Sequence, residues 1–559
     1  MTLVLPRLKQ HAGSLTLLAA VALGLLVRGR YTFAANFPLN DGVLFYLMTQ
    51  ELQRAHYALP AFTSYHSADI PLAYPPLAFY AAGLLADITR LDLLTVFRLL
   101  PLLVNLATIV AFYCFARTFF SSSLSAGSRS WRIALAASVL AFAVLPRGFV
   151  WMIMGGGLTR AFGFFFAVLA LRSYYLLYTQ GMRRDLVLAT LYSALTMLSH
   201  LEAGYFLALS VIILLVQFGR NRRGVFASAA VALGTVVLIA PWWLTVIVRH
   251  GPGPFLNAAQ TGGGILSAVF TLTLFDITGE PLFPVMAGLA LLGAVVCWKN
   301  SRLFLPYWLV LTILLDPRAA PNYATLPLAM LIGICVADVL LPALARPYHE
   351  RDLRTGPALR PEAATFLGTR PAMVLAILGF ALYYATMSAL FAAPKTLGAL
   401  RADDRQAMQW VAQQTPPDSR FLVVTGIGVD SGNGVDLGVD KAIGWGGDRV
   451  SEWFPVLAER VSVATPQGYE WLGSIVRLQK DDHDAQICAE REATCLDRWA
   501  KDTGSTFTYL YLPKGRHNDD ASDTPDTCCR ELRASLRSDS AYTLAYDGPG
   551  ASIFVRRGG

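Results

Sequence analysis

The chain has 559 residues, of which 55% are hydrophobic, and a mean hydropathy of +0.47, whereas soluble domains hold about 45–50% apolar residues. Its formal charge of +8 divides into two halves of opposite sign: 27 Lys and Arg against 14 Asp and Glu through Pro394, a net +13, then 19 against 24 beyond it, a net −5. The basic residues of the first half sit mostly in short loops between apolar blocks and form no aromatic-interleaved groove, so the balance reflects membrane orientation and excludes a nucleic-acid partner.

At the N-terminus, Arg7, Lys9 and His11 precede an apolar run from Leu15 to Val27. Arg28 and Arg30 follow at once and no Ala-x-Ala site comes next, so the run reads as a retained span and not as a cleaved signal peptide. Residues 31–96 then form one long external loop. Within it, Asn40-Asp41-Gly42 opens a helix over Val43 to Ala55, with an apolar stripe of Leu44, Leu47, Met48, Leu52 and Ala55 opposite Thr49, Gln50, Gln53 and Arg54. That pattern predicts a helix lying in the membrane surface. Pro75 to Ile88 is apolar, but falls short of the roughly 20 residues a crossing needs, and is placed as a second surface helix.

Ten further spans are expected near 97–116, 133–149, 158–178, 185–198, 203–219, 225–248, 283–298, 303–315, 322–344 and 371–392, making eleven with 15–27. With the N-terminus inside, the inner loops carry Arg117, Arg129 and Arg132; Arg183 and Arg184; Arg220, Arg222 and Arg223; Lys299 and Arg302; and Arg346, Arg351, Arg354, Arg360 and Arg370. This is what the positive-inside rule requires, and an odd count puts the C-terminus outside. The spans 185–198 and 203–219 are short and meet at Ser199-His200-Leu201-Glu202, a turn placed below the outer membrane surface.

Composition changes after Pro394, dividing a transmembrane domain (1–394) from a soluble extracytoplasmic α/β domain (395–559). The expected fold class is therefore a polytopic α-helical membrane protein with a C-terminal α/β domain. Asp403-Asp404 is placed as the cap of a helix through Trp410 and Val411, and Phe421 to Thr425 as a strand. Gly426 to Gly447 and His517 to Asp526 read as loops. Cys114, Cys297 and Cys335 lie in apolar spans, whereas Cys488, Cys495, Cys528 and Cys529 belong to the outer domain. In an oxidising compartment these four predict two disulfides with three possible connectivities, the adjacent pair being the least expected; free thiols are the alternative.

Asp41 is the first candidate for chemistry. A carboxylate at the outer surface can take a proton from a hydroxyl arriving from water while a lipid-linked donor approaches from the bilayer. The same acid would also serve as an ordinary helix N-cap. The order of features here resembles the GT-C superfamily: a short inner tail, a span, an Asp near the start of a large first loop, an amphipathic helix, Ala73-Tyr74-Pro75-Pro76-Leu77 before a second helix, and Phe97-Arg98-Leu99 leading a span. The resemblance covers about the first 220 residues, with a further match from Pro317-Arg318-Ala319 to Pro327. It is nearest in kind to mannosyltransferases and aminoarabinose transferases. It implies a membrane glycosyltransferase using a polyprenyl-phosphate-linked sugar, with Asp41 as general base and Arg318 on the donor phosphate.

Metal-using members of that superfamily carry further acids in the next external loop, yet Pro146 to Gly163 offers Arg147 and Arg160 and neither Asp nor Glu. Hard cations prefer several oxygen ligands, so no tightly held metal and no required cofactor is expected; Glu202 and Asp69 are the acids that could approach. Arg147, Arg160, Arg249, His250 and Arg318 fall at external span ends, where guanidinium can bind phosphate bidentately or simply snorkel to lipid headgroups. His200 and Glu202 are ionisable groups at membrane depth, which marks a site or a mutually satisfied polar turn. Tyr74 completes the donor-binding candidates. In the outer domain, Glu452, Trp453, Glu470 and Trp471 suit either an acceptor sugar or packing against the membrane domain. Gly155-Gly156-Gly157 and Gly262-Gly263-Gly264 fit no phosphate-loop template.

The function expected is transfer of a sugar to an extracytoplasmic glycan, lipid or protein at the cytoplasmic membrane of a prokaryote. A transporter or flippase is the main alternative, disfavoured because no matching broken helices or inverted halves are evident. A membrane-anchored carbohydrate-binding protein is the third.

Overall fold

The computed structural model describes residues 4–123, 130–259, 265–273, 277–281, 283–316, 320–342, 370–391, 397–426, 448–515 and 528–557. Arg318 and the loop expectations for 427–447 and 517–526 lie outside the described residues.

The chain opens on α1 (Val4–Ala34), followed by α2 (Val43–Arg54), a short hairpin of β1 (Phe62–Thr63) and β2 (Ile70–Pro71), and α3 (Leu77–Thr89). The membrane part continues through α4 (Leu93–Ser123), α5 (Ser130–Val144), α6 (Gly157–Thr179), α7 (Arg183–Ser199), α8 (Leu201–Phe218), α9 (Arg222–Leu238), α10 (Ala240–His250), α11 (Gly253–Ala259) and α12 (Ile265–Thr273). It closes with α13 (Val285–Lys299), α14 (Phe304–Leu315), α15 (Ala320–Tyr323), α16 (Thr325–Cys335) with a π turn at Val336–Leu340, and α17 (Arg370–Phe391). Among the described residues, five helices are long and apolar enough to cross a membrane, and a sixth span results if α9 and α10 count as one. That pair is bent by 58°, where one span over 225–248 is expected from sequence. Pro241, in the first turn of α10, lacks the N–H that would continue α9.

Arg28 ties the first helices together. It is fully buried, and its guanidinium donates to the Asn105 carbonyl and Oδ1 at 3.1 and 2.8 Å and to the Phe142 and Ala143 carbonyls at 3.0 and 3.2 Å. Asn105 in turn donates to Gly148 at 3.2 Å. A charge inside an apolar bundle persists only when its donors are used in this way. Arg28→Met should leave these acceptors without donors and destabilise the protein by on the order of 3 kcal/mol, read as a lowered thermal midpoint in detergent. An unchanged midpoint would mean that the network is dispensable.

The C-terminal residues form a five-stranded sheet of order β4-β3-β5-β7-β6, from β3 (Arg420–Val423), β4 (Val461–Ser462), β5 (Tyr509–Pro513), β6 (Tyr542–Asp547) and β7 (Ala551–Arg556). β3 runs parallel to β4 and β5, and β7 antiparallel to β5 and β6. Because side chains alternate along a strand, Leu422, Leu510, Leu512 and Phe554 face one core, shared with α20 (Ile475–Ile487), α21 (Thr494–Thr503) and α22 (Arg530–Ser538). Phe421, Val423, Tyr511 and Ile553 face the other, shared with α18 (Ala402–Gln414) and α19 (Arg449–Leu457).

This second core also contains Val43, Leu44, Leu47, Met48 and Leu52 of α2 and Tyr65 of the first loop. The apolar stripe of α2 is thus buried in protein and does not face lipid. Asp403 and Asp404 lie in the first turn of α18, which starts after Arg401 without a side-chain cap; they favour the helix N-terminus by charge instead. Cys488 is bonded to Cys495. Contrary to expectation, Cys528 is bonded to its neighbour Cys529, at a Cα separation of 3.7 Å.

Candidate active site

The residues before α2 are pinned from three directions. Leu39 pairs with Ala399 as an antiparallel bridge and its carbonyl accepts from Gly155 N–H at 2.8 Å. Asn40, held at a left-handed φ of 54°, donates its N–H to Gly398 at 2.7 Å and accepts from Trp453 Nε1 at 3.1 Å. Asp41 is then aimed by the chain around it. The N-cap of α2 is Gly42, with no side-chain hydrogen bond, so Asp41 does not cap its own helix. Its Oδ1 instead accepts from Gly156 N–H at 3.1 Å, at the N-terminus of α6, where the helix dipole favours an anion.

The Gly155-Gly156-Gly157 run explains this approach. A Cβ on Gly156 would lie 2.6 Å from the Asp41 carboxylate, and one on Gly155 would collide with the Asp41 carbonyl. Gly42, at φ 116°, faces the same run so closely that a Cβ there would strike the Gly155 backbone. Gly156→Ala is expected to push the carboxylate aside and lower activity about 100-fold, since misplacement by about 1 Å has that effect, while leaving the folded fraction intact. Full activity in this variant would show that Asp41 tolerates displacement.

Arg160 lies one turn into α6, over the Trp151 ring at 5.7 Å. Its charge reaches Asp41, Glu202, Tyr74 and Tyr323, and its buried Nη1 makes no hydrogen bond among the described residues. Burial pushes the Asp41 carboxyl above the ordinary carboxylate range; the Arg160 charge and the Gly156 N–H oppose that shift without cancelling it. His200, 4% exposed, occupies the break between α7 and α8. Gly163 lets α6 approach that break, since a Cβ there would sit 2.9 Å from the His200 Cβ. Tyr74 stands between these groups: its ring lies 6.1 Å from His200 and 5.7 Å from Trp471, and its hydroxyl 3.4 Å from Thr159 Oγ1.

The structure thus brings Asp41, Arg160, Glu202, Tyr74 and His200 together. Other candidates are placed elsewhere. Arg249 is engaged by the Leu59 carbonyl at 2.7 Å, and His250 lies against Phe62 at 4.9 Å, so both secure the first loop. Arg147 packs against Gly279, and its N–H donates to Thr278 at 3.4 Å. Trp453 is fully buried with its indole N–H committed to Asn40, which leaves no face for a sugar. Trp471 is 3% exposed and held through its carbonyl by Asn257, again a packing role. Glu452 and Glu470 remain within electrostatic reach of one another, and Glu452 of Asp41. Asp69 is exposed. Among the described residues no group of three or more His, Cys, Asp or Glu is arranged to hold a metal ion.

Tyr323 joins the site without having been a candidate. Its ring stacks on Phe206 at 4.7 Å, and the charges of Glu202, Asp316 and Arg160 reach its hydroxyl. Its place between Asp316-Pro317-Arg318 and Pro327 is the only sequence signal that pointed there.

No sequence family and no curated protein matches the chain. Solved structures do. The archaeal oligosaccharyltransferase AglB from Archaeoglobus fulgidus, in complex with an inhibitory peptide and a dolichol-phosphate, is 13% identical at a TM-score of 0.55, over 90% of this chain and 70% of that one. ArnT from Cupriavidus metallidurans, bound to undecaprenyl phosphate, is 14% identical at 0.53, over 96% and 97%. The arabinofuranosyltransferase AftD from Mycobacteria is 16% identical at 0.54; 97% of this chain matches 40% of that one. These are GT-C glycosyltransferases. The chain has their fold, as its sequence led one to expect, and is an integral membrane protein.

Proposed function

We propose that this protein is a glycosyltransferase that moves one sugar from a polyprenyl-phosphate donor to an extracytoplasmic acceptor, with inversion at the anomeric carbon. The observation that carries the reading is the Asp41 carboxylate, part-buried at the N-terminus of α6 and within reach of the Arg160 charge. Dolichol-phosphate bound to AglB and undecaprenyl phosphate bound to ArnT, on the same fold, support a lipid phosphate as the leaving group.

In this mechanism an acceptor oxygen attacks the anomeric carbon as its proton passes to Asp41. The bond from that carbon to the phosphate oxygen breaks, and the electron pair leaves with the phosphate. Arg160, with a guanidinium N–H unused among the described residues, meets the charge that develops there. Tyr74, Tyr323, His200 and Glu202 shape the surrounding wall, and Arg318 is kept as a second phosphate contact. Arg160 and Arg318 supply positive charge for the departing phosphate in this reading, which invokes no metal.

The topology belongs to the same proposal. The first loop shares a core with the C-terminal sheet, so an even number of crossings must separate them. The ten segments α4 to α8, α9 with α10, α13, α14, α16 and α17 satisfy this, giving eleven spans with α1. The basic loops then face the cytoplasm, and the domain from 395 onwards lies outside the cytoplasmic membrane of a prokaryote. The stereochemistry of the product tests the reaction: inversion is expected, and retention would overturn direct displacement.

A further inference from the structure

A second buried carboxyl approaches the site from the other end of the chain. Glu452 lies on α19, whose start is fixed by Asp448, with Oδ1 accepting the N–H groups of Val450 and Ser451 at 3.1 and 3.2 Å. Two bonds hold this helix against the first loop. Tyr65 Oη donates to the Glu452 carbonyl at 2.7 Å, and the next residue, Trp453, donates to Asn40, the residue before Asp41. Asp41 and Glu452 are thereby brought within reach of each other's charge. Glu452 is only 8% exposed, yet its Oε2 makes no hydrogen bond among the described residues. An unsatisfied buried oxygen is uncommon in a packed fold.

The two carboxyls face different surroundings. Asp41 has a helix N-terminus and Arg160. Glu452 faces Asp41 from the first loop, Asp448 on its own helix, Glu470 from the turn Tyr469–Trp471 and Asp482 from α20. Tyr65 adds a phenol, itself next to His66 and in reach of Tyr469. Arg449 divides its charge among Asp448, Asp404 and Glu452. Glu452 is buried and feels the Asp41 charge, and like charges held out of water disfavour each other's ionisation. Arg160 and the Gly156 N–H favour ionised Asp41, whereas Arg449 shares its charge with two other acids, so the proton belongs on Glu452. Burial and the Asp41 charge raise the Glu452 carboxyl well above its ordinary range, in agreement.

We propose that Glu452 is the proton-bearing partner of Asp41 and donates a hydrogen bond to an acceptor oxygen adjacent to the hydroxyl that Asp41 deprotonates. This rests on the reading of Asp41 as the base. It assigns the acceptor to a class with neighbouring oxygens, as on a sugar ring, in preference to an isolated side-chain hydroxyl. The Glu452 proton is not consumed: the transferred proton ends on Asp41, and Glu452 keeps its own throughout.

Infrared difference spectroscopy of the full chain in lipid nanodiscs tests the protonation without any substrate. At neutral pH, the difference between the wild type and Glu452→Gln should contain a protonated-carboxyl C=O stretch, whereas a difference containing only carboxylate bands would overturn the proposal. Acceptor recognition is tested on the wild type, with undecaprenyl-phosphate-linked sugar as donor and a methyl glycoside against its deoxy analogue as acceptors. The analogue should show a KM raised about tenfold, and equal KM values would overturn the acceptor assignment. In Glu452→Ala the loss should fall on acceptor KM more than on kcat and should erase this discrimination; a pure kcat loss with discrimination intact would indicate a structural role. Should Asp41→Asn keep its turnover, the base reading fails, and the infrared result on Glu452 stands or falls separately.

Discussion

Asp41→Asn is expected to lower kcat about 1,000-fold, within the range for removal of a general base, while binding of the lipid donor persists. Asn keeps the shape and can still accept from Gly156 N–H, so the pinned segment Leu39 to Gly42 has no reason to move. What disappears is the ability to take a proton. The pH profile gives a second reading of the same group. A base works only when ionised, and burial places the Asp41 carboxyl above the usual carboxylate range. Turnover should therefore rise with pH through that raised value, and fall on acidification earlier than for an exposed Asp. Initial rates across pH, with lipid binding measured in parallel, check both; wild-type turnover in the Asn variant would remove Asp41 from the mechanism.

Arg160→Ala should reduce kcat/KM by about 100- to 1,000-fold, comparable with the loss of one preorganised donor to a developing anion. Its effect on pH separates this role from simple packing. The Arg160 charge holds the Asp41 carboxyl down against its burial, so without it the acidic limb must move to higher pH. Arg160→Lys should restore the position of that limb better than it restores rate, because Lys supplies the charge without the planar fork. A loss of rate with no movement of the limb would place Arg160 outside the Asp41 environment.

The sequence exposed the long apolar blocks because a bilayer demands them, and Phe421 to Val424 because alternating residues of a covered strand must both be apolar. Asp41 stood out by position and by the order of features around it, and Arg160, Tyr74, His200 and Glu202 as polar groups at external span ends. Gly156 did not: it acts on Asp41 from 115 residues away, and a run of glycines with no phosphate-loop spacing carries no label for which backbone it lets close. The burial of the α2 stripe in protein was illegible for a related reason. That stripe is equally apolar whether it meets lipid or Trp453 and Phe421, and only the fold decides. Tyr323 and the reach of the Asp41 charge to Glu452 likewise depend on contacts between distant segments.

Single-turnover transfer in proteoliposomes, following both the donor lipid and the acceptor, tests the central claim most directly. The account predicts that each sugar lost from the polyprenyl phosphate appears on the acceptor, with one equivalent of free polyprenyl phosphate, and that both signals vanish in Asp41→Asn. Passage of the intact lipid-linked sugar to the opposite leaflet, without bond cleavage and independent of Asp41, would contradict it.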